Sequence, residues 1–267
     1  MTDLERLLQT AVEATTRARE LILRRGVGSL TAKGDRDFTS ETDYEVERDL
    51  RTFLADATPS IGFLGEEGGA SGAAGALQWI LDPIDGTVNF ARGLPLCGVS
   101  LALVEAGRPV LGVIELPFLS CRYEAVHGSG AYRNGTPIRA SSVAHLRDAV
   151  VAIGDYAVGE NADERNAPRL ALTALLARNA LRVRMLGSAA VDLAWVADGK
   201  VDAAVMLSNN PWDTAAGAII AREAGAAVVD LDGSDHTARS RGTVAVAPDL
   251  LQEILELVNS AAGGSVA

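Results

Sequence analysis

The sequence predicts an α+β first half, built on an antiparallel sheet, joined to an α/β second half. Three observations carry this. Apolar residues recur at helical spacing near the N-terminus, at Leu4, Leu7, Leu8, Ala11, Ala14, Ala18, Leu21 and Ile22. From Leu96 onward short apolar runs follow one another through glycine-containing turns and reach the hairpin signal Asn134-Gly135. After about residue 147 strand-like and helix-like segments alternate. This change of style divides the 267 residues into an N-terminal half, 1–145, and a C-terminal half, 146–267.

The elements follow in order. The first helix covers residues 2–25 and stops at Gly26. GSLTAKGDRDFTSETD (28–43) reads as a turn-rich stretch of mixed charge. Within it Ser40, followed three residues later by Asp43, marks a helix start, and the helix runs over 41–57 before Pro59. IGFL (61–64) is a short strand leading into GEEGG. GGASGAAGA (68–76) is low in complexity and reads as a mobile surface loop. WILD (79–82) is a buried strand that ends at its aspartate, before a sharp turn. In the second half, strands are expected at 150–154, 181–186, 201–206, 225–233 and 242–247. Helices are expected at 163–178, 188–199, from the WDTAAG stretch to Glu223, and at 248–261.

Composition narrows the function. Hydrophobic residues make up 48% and aromatic residues 4%, so a large core is available, built from Ala, Val, Leu and Ile. The net charge of −11 argues against a nucleic-acid surface, which is basic. It also means that an anionic substrate needs cations held locally. Cys97 and Cys121 form neither a CxxC nor a Cys/His spacing and read as reduced thiols. MTDLERLL is charged from its third residue, unlike a signal peptide, and no apolar run is long enough to span a membrane. A cytoplasmic protein is expected. His127, His145 and His236 lie among loop residues and read as surface histidines.

The chemistry concentrates in carboxylates at element ends. WILDPIDGTVNF (79–90) sets Asp82 and Asp85 three residues apart around Pro83. Two carboxylates so close repel unless a cation sits between them. Gly86 and Thr87 then open a short helical turn whose free N–H groups suit a phosphate. Taken alone, the segment also fits a solvated Asp-rich turn. Other stretches favour a site: Glu66 and Glu67 follow a strand, Asp213 opens a helix behind Trp212, and Asp43 lies in the first turn of another. All-oxygen clusters suit Mg2+, Mn2+ or Ca2+ rather than zinc. No D-x-D-x-D-G spacing is present, so a structural Ca2+ loop of the EF-hand kind is excluded.

These motifs resemble the inositol monophosphatase family of Mg2+-dependent, lithium-sensitive sugar phosphatases, as found in a bacterial member. WILDPIDGTVNF resembles its first signature and WDTAAGAIIAREAGAA (212–227) its second; GEEG and KGDRDFTSETD resemble two further segments. The resemblance implies a layered α/β/α/β/α sandwich of the inositol monophosphatase and fructose-1,6-bisphosphatase type, and a homodimer. It implies Glu66, Asp82, Ile84 (through its carbonyl), Asp85 and Asp213 as metal ligands. Thr87 and Asp43 would orient the attacking water, with Glu67 assisting. Gly86, Thr87, Asp85, Ala189, Met206 and Lys33 would line the substrate site. Two to three Mg2+ per subunit are implied, with Mn2+ able to substitute and Ca2+ and Li+ inhibiting. No membrane or nucleic-acid partner is implied.

The substrate is less well defined. Inositol-selective members carry a glutamate seven residues before the second-signature aspartate; here that position is Met206, which accepts no comparable hydrogen bond. The departure puts myo-inositol selectivity in doubt and allows broader specificity; the resemblance implies inositol-1-phosphate or a related small polyol or sugar phosphate. Histidinol phosphate is disfavoured because Ser188, not an acid, follows Gly187. Fructose-1,6-bisphosphate stays open, and VNF after DGT argues against adenosine bisphosphate. A regulatory protein working through contacts is the rival from another class, but the chain has no basic patch or added arm to support it.

Overall fold

The computed structural model describes residues 3–73 and 75–263. The elements are α1 (Asp3–Arg25), β1 (Leu30–Gly34), β2 (Asp37–Ser40), α2 (Glu41–Ala57), β3 (Gly62–Gly65), β4 (Gly69–Gly72), β5 (Leu77–Asp85), α3 (Thr87–Ala91), β6 (Gly98–Glu105), β7 (Arg108–Leu116), β8 (Cys121–Val126), β9 (Ala131–Arg133) and β10 (Thr136–Pro137). They continue with β11 (Val150–Ile153), α4 (Ala162–Asn179), β12 (Arg182–Arg184), α5 (Ala189–Ala197), β13 (Ala203–Met206), α6 (Pro211–Glu223), β14 (Ala227–Val229), β15 (Thr243–Val246) and α7 (Leu251–Gly263). One sheet has eight strands in the order β10-β9-β8-β7-β6-β5-β3-β4; a second has five, in the order β12-β11-β13-β15-β14.

Alternation along the strands stacks these sheets. In β5 and β6, Trp79, Leu81, Leu101 and Leu103 face α1 and α2, where Ala11, Ala14, Ala18, Val46, Leu50 and Leu54 receive them. Their neighbours Ile80, Ala102 and Val104 face the other way, onto α5 and α6. Those two helices are buried nearly all round because the five-stranded sheet covers their far side through Ala152, Ala204, Met206 and Ala245. The opposite face of that sheet, with Val151, Val205 and Val244, packs on α4 and α7. The layers are therefore α/β/α/β/α, as expected. Small side chains set the spacing: a Cβ on Gly112 of β7 would lie 2.6 Å from the Ala216 carbonyl oxygen of α6. With few aromatics, the core relies on many aliphatic side chains, each contributing about 1.5–3 kcal/mol when buried.

Several expectations are corrected. The turn-rich stretch at 28–43 contains the β1–β2 hairpin, turned by Arg36 at φ 56°. Every residue of β1 is exposed, so no alternation betrayed it. The segment expected as a mobile loop, 68–76, contributes β4, paired with β3 from Gly62–Gly72 to Gly65–Gly69. Arg51 of α2 ties it down, donating to the Gly69 carbonyl at 3.1 Å and to Ser71; Ala74 of that segment lies outside the described residues. The second sheet is mixed, since β15 runs antiparallel to both β13 and β14. His236 is fully buried rather than superficial, with Nε2 2.9 Å from Thr243 Oγ1. Burial, assisted by the Arg222 charge, pushes its imidazole down to about 4. The fold thus holds His236 neutral, and its contribution is complete above about pH 6.5 and is lost as pH falls toward 4. An NMR titration is expected to show the His236 ring protonating near pH 4; a midpoint near 6.5 would contradict the burial argument.

Candidate active site

The site is built where β5, β3 and three helix starts meet. β5 does not end at Asp82, as the sequence suggested. It runs on to Asp85, with a bulge: Asp82 pairs with Ser100 of β6, and Asp85 pairs with Gly98. The sharp turn falls at Gly86, with φ 86°. A Cβ there would lie 3.0 Å from the Leu96 carbonyl oxygen and 3.1 Å from that of Gly187, so glycine is required twice over. The chain then enters α3 at Thr87, whose Oγ1 lies 3.2 Å from the Ile84 carbonyl oxygen and 3.5 Å from Asp43 Oδ1.

Glu66 reaches the site by register. β3 runs parallel to β5, with Gly65 beside Leu81. Extending the pairing by one residue sets Glu66 beside Asp82, and the Glu66 amide still bonds the Leu81 carbonyl at 3.2 Å. The other two acids come from helix caps. Asp43 is the third residue of α2 and accepts from the Ser40 amide at 3.0 Å; Asp213 is the third residue of α6 and accepts from the Asn210 amide at 2.7 Å. Capping boxes therefore fix both carboxylates at helix N-termini.

These acids sense one another. Burial above all, then the charges of Glu66, Asp85, Asp213 and Asp43, push Asp82 well above the usual carboxylate range. Burial raises Asp213 to about 7, with Asp85 and Glu66 adding to it. Asp85 and Asp43 are each raised to about 6, again by burial first, although Ser188 and Ala190 stabilise the Asp85 carboxylate and Ser40 that of Asp43. Each carboxylate leans on a local donor: Asp82 Oδ1 on the Ile84 amide at 3.0 Å, and Asp85 Oδ2 on the Ala190 amide at 2.6 Å and the Ser188 hydroxyl. Lys33 bridges Glu66 and Glu67 at 2.8 and 2.6 Å. Burial lowers the Lys33 pKa, but the hydrogen bonds to the two glutamates outweigh it and keep the ammonium charged. With the side chains so turned, no three Asp, Glu, His or Cys groups among the described residues form a closed cage.

Most of the residues singled out by sequence thus gather here. Asp85, Ala189, Met206 and Asp213 line one cavity of about 210 Å³. Met206 is buried and supplies an apolar wall. Glu67 lies deeper, its side chain 3% exposed, and also accepts from Thr39 Oγ1 at 3.0 Å. Lys33 meets the two glutamates and is not among the cavity's lining residues.

Sequence reasoning missed four contributors. Ser188 caps α5 and also donates to Asp85. Buried Glu47 accepts the Glu67 and Gly68 amides, both at 2.8 Å, and so shapes the GEE segment. Asn89 ties the 186–187 loop to Leu96, donating to the Leu186 and Leu96 carbonyls at 2.7 and 2.8 Å. Asp192, on the cavity wall, is buried with its Oδ1 unpartnered. Only Ser188 carried a signal, as a serine preceding a helix.

The comparison with known proteins decides the family. The family model described as "Inositol monophosphatase family" matches residues 3–262. The chain belongs to the inositol monophosphatase family. It is 37% identical over 232 residues to inositol-1-monophosphatase ImpA of Mycolicibacterium smegmatis, covering 87% of this chain and 84% of that protein. It is 37% identical over 228 residues to a fructose-1,6-bisphosphatase/inositol-1-monophosphatase of Thermotoga maritima, covering 85% and 84%. A solved Thermotoga maritima inositol monophosphatase superposes with a TM-score of 0.88 at 34% identity, covering 97% of this chain and 98% of that one. The chain is accordingly a phosphoric monoester hydrolase. No helix among the described residues is long and apolar enough to cross a membrane.

Proposed function

We propose that this family member is a Mg2+-dependent phosphatase acting on inositol-1-phosphate or a related small polyol or sugar phosphate. The observation that carries the reading is the convergence of buried Asp82 and Asp85 with half-buried Glu66 and Asp213, whose charges disfavour one another, next to Gly86 and Thr87. The donor set fits a hard divalent cation. It consists of carboxylate oxygens and the Ile84 carbonyl, and the repulsion among the acids is what a cation relieves. Glu66, Asp82, Asp85, Asp213 and the Ile84 carbonyl would hold it. Bound there, divalent cations supply an acidified water and neutralise phosphate charge, which also answers the problem of a net charge of −11.

The chain's own groups do the rest. The Thr87 hydroxyl, within reach of the Ile84 carbonyl and Asp43, would orient a water and pass its proton toward Asp43. The Gly86 and Thr87 amides fix the phosphate oxygens. Ala189 and Met206 shape the space for the alcohol, and Met206 offers no charged acceptor to a hydroxyl, so selectivity is broad. Inhibition by Li+ and a dimeric assembly belong to the same reading.

The test is phosphate release from inositol-1-phosphate, glycerol-2-phosphate and histidinol phosphate. The expected result is turnover of the first two with Mg2+, lost in EDTA and restored by added metal. Release from none of these esters, in a folded protein, would overturn the reading.

A further inference from the structure

Residues 207–210 connect Met206, the last residue of β13, to α6, and so set where Asp213 stands. They form neither helix nor strand themselves. The connection between β14 and β15 holds them, through Asn209. The Asn209 amide donates to the Arg241 carbonyl at 3.0 Å and Nδ2 to the Ser240 carbonyl at 3.1 Å, while Oδ1 accepts from Thr243 Oγ1 at 2.8 Å. A longer contact of 3.4 Å runs from Nδ2 to Thr214 Oγ1, beside Asp213. Thr243 opens β15 opposite Met206, and its Oγ1 meets His236 Nε2 at 2.9 Å. His236 and Thr243 are both fully buried.

Polarity runs one way along this chain. The Ser240 carbonyl only accepts, so it faces Nδ2 and turns Asn209 Oδ1 toward Thr243. Oδ1 only accepts, so the single Thr243 hydroxyl proton points to it. Thr243 Oγ1 must then accept from His236. Burial holds that ring neutral, with one proton to place, and the proton falls on Nε2. Nδ1 agrees: it is buried with no hydrogen-bond partner among the described residues, so a proton there would be an unpaired buried donor.

The chain reaches the acid through the backbone. Asn209 and Asn210 share one planar peptide unit, and its N–H is the donor to Asp213 Oδ2 at 2.7 Å. Turning Asn209 turns that donor. The other end of α6 is gripped by the same connection, since Arg222 donates to the His236 carbonyl at 2.6 Å. The connection is fastened in turn to the β6–β7 turn, where the Ala238 amide donates to the Gly107 carbonyl at 3.0 Å. A buried polar network with every member paired specifies one geometry, and removing a member leaves its neighbours unpaired.

We propose that Asn209, Thr243 and His236 are positioning residues for Asp213, a directed hydrogen-bond chain that holds the 207–210 segment so that the Asp213 carboxylate takes its cation. This rests on the reading of Asp213 as a cation ligand. Thr243 and His236 do not line the cavity and act through Asn209.

The test is calorimetric titration with Mn2+ of wild type, Thr243→Val and Thr243→Ser. Valine keeps the shape of threonine but leaves Asn209 Oδ1 and the His236 Nε2–H unpaired; serine keeps the hydroxyl. Binding of one ion is expected to weaken by about tenfold or more in Thr243→Val, the scale on which loss of a group supporting a metal ligand acts, and by less than about threefold in Thr243→Ser. His236→Gln, whose amide N–H replaces that of Nε2, is expected to bind like wild type, and His236→Phe like Thr243→Val. A merely structural role would lower the Tm of Thr243→Val and leave the Mn2+ affinity of the folded variant unchanged, and that result would overturn the proposal alone. No Mn2+ binding by folded wild type would overturn the cation reading with it. Nitrogen chemical shifts of the His236 ring in wild type test the chain however the variants fold. They are expected to show a protonated Nε2 and a bare Nδ1 near neutral pH; the opposite tautomer would overturn the proposal.

Discussion

Asp82→Asn is expected to reduce kcat by about a thousandfold or more, the scale on which loss of a preorganised charged group acts at a reacting centre. The fold should survive, because Asn keeps the size of the side chain and its Oδ1 can still accept from the Ile84 amide at 3.0 Å. The same substitution makes a second, opposite prediction for the metal-free protein. Asp43 and Asp85 are raised to about 6 and Asp213 to about 7, so the fold favours their protonated forms. Their stabilising effect is complete below about pH 4, where the unfolded chain also protonates, and is lost as pH rises toward 7. Metal-free wild type should therefore have a lower Tm at pH 8 than at pH 5.5, and Mg2+ should reverse that loss. Asp82→Asn removes one of the repelling charges, so without metal its Tm at pH 8 should exceed that of wild type and respond less to Mg2+. Thermal melts with and without EDTA check this; equal responses to Mg2+ would show that Asp82 binds no cation.

Thr87→Ala and Asp43→Asn are each expected to lower kcat by about 10²–10⁴, the range of positioned proton transfer, while KM changes by less than about threefold. If the Thr87 hydroxyl and Asp43 serve one proton path, the double variant should be little slower than the worse single one. Multiplying losses would show that they act separately. Asp43→Asn carries a stability cost as well. Its Oδ2 accepts from the Ser40 amide and hydroxyl, and weakening that box costs about 1 kcal/mol. Thr87→Ala loses only the hydroxyl's long contacts to Asp43 at 3.5 Å and to the Ile84 carbonyl at 3.2 Å and breaks no capping box, so its Tm should fall less than that of Asp43→Asn. That contrast separates the chemical effect from the structural one.

Much of this was legible in the sequence because each part announces itself locally. Helical spacing fixed α1, and Ser40 with Asp43 fixed the start of α2 at Glu41. Glycine turns marked the meander from β6 to β10. The carboxylates stood out because acids at element ends are conspicuous against apolar runs. What escaped lies in contacts between distant segments. The bulge that carries β5 past Asp82 depends on pairing with Ser100 and Gly98, which Pro83 conceals. β4 is written in glycine, serine and alanine and depends on β3 and Arg51 to become a strand. Glu47 looks like any helical glutamate until the Glu67 and Gly68 amides arrive. The hydrogen bond from Thr243 to Asn209 spans 34 residues, which no local pattern announces.

On the proposed reading Glu66, Asp82, Asp85 and Asp213 together bind divalent cations. Calorimetric titration of the metal-free protein with Mn2+ at pH 7.5 tests it most directly. Saturable binding of about two ions per chain is expected, as in two-metal phosphatases, with release of protons as the raised carboxylates ionise, and loss of at least one ion in both Asp82→Asn and Asp213→Asn. No saturable binding by folded wild type, or the same stoichiometry in all three proteins, would contradict it.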